Sequence, residues 1–133
     1  MGEVRVTLGL RSSDVLSTPL DVSASAVIEA DSGSIQRVKV IATSIGSNAQ
    51  RVHKPNEKAD RAYLYVKNME PVFEDYLIIY DNTDDTEIAK LAGGEFCFIP
   101  VDPTADLFAH GTRVDQIMEF GSFGLDSSDV RYS

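Results

Sequence analysis

The densest concentration of chemically capable side chains is the run Asp81, Asn82, Thr83, Asp84, Asp85 and Glu87. Carboxylate and amide oxygens at this density suit a hard cation such as calcium. The spacing is not that of an EF-hand loop, because no glycine stands at the required bend and the flanking segments do not read as helices. Asp and Asn favour turns by bonding their own backbone. The run is therefore expected to be the tight polar turn of a hairpin, with a weak structural ion as the alternative.

Histidine chemistry would pass through His53 or His110, the two histidines of the chain. General acid/base catalysis or zinc binding needs partners at ligand spacing, and no Cys or His stands there. Both are expected at the surface. Cys97, flanked by Phe96 and Phe98, has no neighbour that would lower its pKa and is expected to be a buried, inert thiol pointing opposite to the two rings or into a second layer. Gly93-Gly94 lacks the lysine and Ser/Thr of a phosphate loop and precedes a strand, so it reads as a turn. Tyr63, Tyr65, Tyr76 and Tyr80 could form a stacking platform for bases or sugars. Without interleaved basic residues, cross-strand packing is the stronger expectation. No residue is assigned a catalytic, cofactor-binding or metal-binding role.

These residues need elements to carry them, and the segment from Arg61 to Val101 predicts the clearest ones. Ala62, Leu64 and Val66 alternate with Tyr63, Tyr65 and Lys67, and short strands follow at Tyr76 to Tyr80, Glu87 to Leu91 and Glu95 to Pro100. The period of two and the β-branched and aromatic content predict half-buried strands, joined in sequence order as an antiparallel meander. Leu64, Val66, Leu77, Ile79, Phe96 and Phe98 are the expected core. Upstream, alternation over Val4 to Leu10 and Leu20 to Ile28 predicts two strands, Asp31 to Ser34 a turn and Ile35 to Ile45 a third strand. Gly46 to Asp60 reads as a long exposed loop, an interaction arm or a solvated connection, with room for a short strand at Gln50 to Val52. Downstream, Leu107 to His110 predicts a strand and the apolar cluster within Asp115 to Phe123 returns to the core. Met1 to Glu3 and the tail from about residue 125 to 133 are expected to be flexible and too polar to join that core. The fold class predicted is all-β: one antiparallel β-sandwich or jelly roll spanning residues 1–133, with less than about one-fifth helix.

Composition narrows the partners. With 43% hydrophobic and 25% charged residues over 133 positions, the chain is of the ordinary globular kind. A formal net charge of -9 repels polyanions, so direct nucleic-acid binding is not expected. No apolar run approaches the ~18 residues that span a bilayer, so no membrane role is expected. One cysteine cannot close an internal disulfide, and the N-terminal residues lack the order of a signal peptide, which suits synthesis in a reducing cytoplasm.

From Ala62-Tyr-Leu-Tyr-Val-Lys-Asn68 onward the chain resembles a group of small virion structural proteins of tailed bacteriophages, often of marine and cyanobacterial hosts. Leu91-Ala-Gly-Gly-Glu-Phe-Cys-Phe-Ile-Pro100 is similar to that group's closing strand-and-turn segment, and Thr7-Leu8 and Asp21-Val-Ser-Ala-Ser25 are similar to its amino-terminal half. The resemblance covers most of residues 4 to 110 and departs from the pattern at Gly46 to Asp60 and after Gly111. It implies a non-enzymatic capsid decoration or cement protein, a homo-oligomer docked on the outer face of a shell of major capsid protein and located in the virion after synthesis in the host cytoplasm. A tail, head-tail connector or fibre-associated protein is the alternative within that class. A carbohydrate-binding β-sandwich module is the alternative outside it.

Overall fold

The structure is a computed structural model and describes residues 2–13, 20–30, 32–46 and 48–126. It is all-β, and no helix occurs among the described residues. Ten strands follow in order among the described residues: β1 (Gly2–Ser12), β2 (Leu20–Ala30), β3 (Ser32–Val40), β4 (Gln50–His53), β5 (Ala59–Asn68), β6 (Leu77–Asp81), β7 (Thr86–Leu91), β8 (Phe96–Val101), β9 (Leu107–Gly111) and β10 (Gln116–Asp126). The last eight build two four-stranded antiparallel sheets, ordered β3-β10-β5-β8 and β4-β9-β6-β7. Pairing is nested: β3 lies beside β10, β4 beside β9, β5 beside β8 and β6 beside β7. One long hairpin is thus rolled up on itself, the arrangement of a jelly-roll sandwich.

The predicted meander is corrected by this topology. Of its three consecutive pairings only β6 with β7 is present, because the links at 69–76 and 92–95 carry the chain from one sheet to the other. Asn68 fixes both links. Its side-chain amide donates to the carbonyls of Asp75 at 2.7 Å and Leu91 at 2.9 Å, and its own backbone exchanges bonds with Glu95 and Gly94. Gly93 is required at this crossing, since a Cβ there would lie 2.1 Å from the Val72 carbonyl oxygen. Gly94 takes φ +88°, the left-handed region that glycine enters without penalty.

Between the sheets lies an apolar, mostly aliphatic core of Val40, Val52, Leu64, Val66, Leu77, Ile79, Leu91, Leu107, Ala109, Met118 and Phe120. Leu64, Val66, Leu77 and Ile79 are fully buried, as expected. Phe96 and Phe98 are not in the core. Pairing of Tyr65 with Phe98 and of Val66 with Cys97 sets the parity of β8, so that Cys97, Ile99 and Val101 pack inward. Phe96 is 59% exposed and Phe98 half-buried on the outer face.

Ahead of the sandwich, β1 and β2 form a separate two-stranded sheet of 11 residues a strand, paired from Gly2 with Ala30 to Ser12 with Leu20. At ~3.3 Å per residue this arm is about 35 Å long. Gly2 and Glu3, expected to be loose, belong to it; Met1 lies outside the described residues. The Asp31–Ser34 turn is likewise replaced by strand, because Ser32, Gly33 and Ser34 pair with Gly124, Phe123 and Ser122 of β10; Asp31 lies outside the described residues. At the other end β10 runs two positions into the expected tail, to Asp126, with Leu125 buried, and residues 127–133 lie outside the described residues.

Candidate functional site

Alternation along a strand gives each sheet two faces, and the sheet β3-β10-β5-β8 uses them differently. Its inner face is the aliphatic core. Its outer face carries Ile35 and Arg37 from β3, Glu119 and Phe123 from β10, Tyr63, Tyr65 and Lys67 from β5, and Phe96 and Phe98 from β8. Tyr63 stacks on Phe98 with centroids 5.9 Å apart, and Phe98 tilts against Phe123 at 6.4 Å. Gly33 makes room for the Phe123 ring, where a Cβ would come within 2.3 Å of it.

One polar network crosses this aromatic face. The Tyr65 hydroxyl donates to Glu119 Oε1 at 2.8 Å, and Arg37 Nε donates to Glu119 Oε2 at 2.8 Å. The guanidinium and hydroxyl bonds hold the Glu119 carboxyl below the usual range. Burial, reinforced by Glu119, pushes the Tyr65 phenol up to about 12. Both shifts keep the pair in the form that bonds: an ionised acceptor and a protonated donor.

The arm runs over part of this face. Val4 to Thr7 of β1 border a groove of about 300 Å³ whose other side is Ile35, Tyr65, Phe96, Phe98, Glu119 and Phe123. Val27 to Glu29 of β2 border a second cleft of about 470 Å³ against Asp60, Arg61, Tyr63 and Leu125. Near this base Val4, Val6 and Ile28 are half-buried. Further out Leu8, Leu10 and Val22, on the same face by register, are 46–47% exposed.

The chemically capable residues are dispersed. Asp81 to Thr86 is the β6–β7 turn, as expected: Asp81 Oδ1 accepts from the Thr83 amide at 2.9 Å, Asp84 Oδ1 accepts from the Thr86 amide at 3.2 Å, and Asp85 adopts φ 60°. Among the described residues no three His, Cys, Asp or Glu side chains converge as a metal site. Cys97 turns inward and is half-buried, opposite to the flanking rings, and burial pushes its thiol up. The four tyrosines share no single platform. Tyr63 and Tyr65 lie on the outer face described above, Tyr76 lies under the Lys90 ammonium at 4.4 Å, and Tyr80 is buried against Phe108 and His110.

His53 corrects the expectation of a surface histidine, being 5% exposed. Strand β4 carries it between the sheets at a register shift, where Val52 and His53 are both buried. The Pro103 carbonyl, 3.3 Å from Nε2, can only accept, so Nε2 donates to it, and Nδ1 shares a hydrogen bond of 2.9 Å with the Ser122 hydroxyl. The ring thereby ties β4 to β10. His110 is half-buried beside Tyr80.

The outer face and the arm were each partly legible in the sequence, but not as one site. Alternation over Val4 to Leu10 and Leu20 to Ile28 marked the two arm strands but not their pairing, and each extends to 11 residues in the structure. The facing of β8 left no such trace, since both of its sides are apolar.

No protein-family model and no curated protein matches the chain. Among solved structures it is similar to a chain from Bacillus endospore appendages, described as a novel family of disulfide-linked pili, with 14% identity and a TM-score of 0.43 over 74% of this chain and 96% of that one.

Proposed function

We propose that the protein is a non-enzymatic structural subunit that attaches in many copies to a larger regular particle. The particle favoured by the sequence resemblance is a bacteriophage capsid, with the protein decorating the outer face of the major capsid protein shell in the virion. One observation carries the reading: a two-stranded arm about 35 Å long leaves the sandwich with Leu8, Leu10 and Val22 uncovered. An isolated two-stranded sheet is marginal in water, so an arm of this length with a free apolar face calls for a surface to lie on. Repetition suits such a device, because many modest contacts on one particle sum to firm attachment.

Acidic charge and the dispersal of His53, His110 and Cys97 fit a subunit without chemistry of its own. Purified protein mixed with assembled shells should co-sediment with them in a saturable ratio, and mass spectrometry of purified particles should find the chain. Absence from particles, with no binding to shells, refutes the decoration role. Binding to tails or connectors in place of shells moves the protein to another part of the virion.

A further inference from the structure

We infer that the arm docks on a second copy of this chain, the distal face of one arm lying on the outer aromatic face of the neighbouring copy's β3-β10-β5-β8 sheet. The inference rests on the reading of the arm as an attachment device and names its partner.

Three observations specify a second copy. The molecule already makes the contact in part, since the base of β1, with Val4 and Val6, borders a groove with Ile35, Phe96, Phe98 and Phe123. That contact is unfinished on both sides. On the sheet, Ile35 stays 57% exposed and Phe96 59% exposed. On the arm, the register continues the Val4–Ile28 and Val6–Ala26 pairs into Leu8–Ala24 and Leu10–Val22, which present the same kind of face with Leu8, Leu10 and Val22 open. Within one copy Leu8, Leu10 and Val22 lie outside that groove, and a second copy can bring an open arm onto an open sheet.

Electrostatics agrees. Two copies of net charge -9 repel unless they meet through neutral surface. The apolar faces are such a surface. At the arm's tip Arg11 and Asp21 neutralise each other at 3.4 Å, and on the sheet the Glu119 charge is matched by Arg37. Joining an arm to a different patch is a heterologous contact, so successive copies close into a ring or continue as an open chain.

Sedimentation velocity on the full chain tests this with two variants, Leu10→Asp on the arm and Phe96→Asp on the sheet. Wild type should self-associate with concentration, and each variant alone should be weakened at least tenfold. Mixed, the two variants should form a one-to-one dimer and stop there, because one supplies the intact sheet and the other the intact arm. If Phe96→Asp associates as wild type does, or the mixture stays monomeric, the contact is wrong. Should Phe96→Asp melt lower than wild type, Ile35→Asp on the same groove replaces it. Wild type that remains monomeric overturns the inference while shell binding is judged separately. Wild type that associates but ignores shells keeps the contact and refutes the decoration role.

Discussion

Strand β5 holds two neighbours with opposite duties: Leu64 closes the core at zero exposure, and Tyr65, one residue on, faces outward beside Phe98. Inner and outer faces of the same sheet differ in chemistry as well as exposure. Inside, mostly aliphatic side chains from both sheets, with Phe120 among them, fill the sandwich, and substitution there leaves a cavity. Outside, aromatic rings stack with one another beneath an arm that covers only part of them. The comparison teaches that a sheet can be apolar on both faces while only one of them holds the fold together. The other is left over for contact.

Substitutions can break that contrast. Leu64→Ala should cost about 2–5 kcal/mol, the range for emptying a tightly packed aliphatic site; a loss below ~1 kcal/mol in denaturant unfolding would mean that the core lies elsewhere. Asn68→Ala should follow at roughly 1–3 kcal/mol, since it strands the carbonyls of Asp75 and Leu91 without their donor. A near-neutral result would mean that water replaces the amide. At the small end, Phe96→Ala should stay within about 0.5 kcal/mol, as exposed substitutions do. A core-sized penalty would place that ring under cover.

Solution pH sharpens the same comparison, because the titrating pair lies on the outer face. Tyr65 is raised from 10.0 to about 12, so its contribution is fully present below pH 10 and is lost as pH rises from there toward 12. Glu119 is lowered, so its contribution is present above the ordinary glutamate pKa and is lost as pH falls through the folded value. Tyr65→Phe should flatten the alkaline limb in a melting-temperature profile. An unchanged limb would assign the loss to another group.

How much of this was written in the sequence differs by element. The alternation of Leu64 and Val66 with Tyr63 and Tyr65 marks the core face of β5, because the partners differ in polarity and size. In β8 the run Phe-Cys-Phe-Ile-Pro-Val is apolar throughout, and its facing is set by the register against β5, which local pattern does not encode. His53 sits among charged residues that read as loop, yet Val52 beside it is also buried because the strand shifts register there. The meander failed for a topological reason: short polar links are compatible with a hairpin or with a crossing between sheets, and the buried bonds of Asn68 decide for the crossing. The candidate site was half visible. Alternation marked the arm strands, while the surface beside them came from four strands spread across the chain.

The most direct measurement pairs stability with self-association in one variant, Leu8→Asp combined with Leu10→Asp on the arm. If the arm serves contact and the sandwich serves the fold, thermal unfolding should stay within about 0.5 kcal/mol of wild type, while concentration-dependent self-association in sedimentation velocity is lost. Unfolding that drops by several kcal/mol, or self-association that survives unchanged, would contradict it.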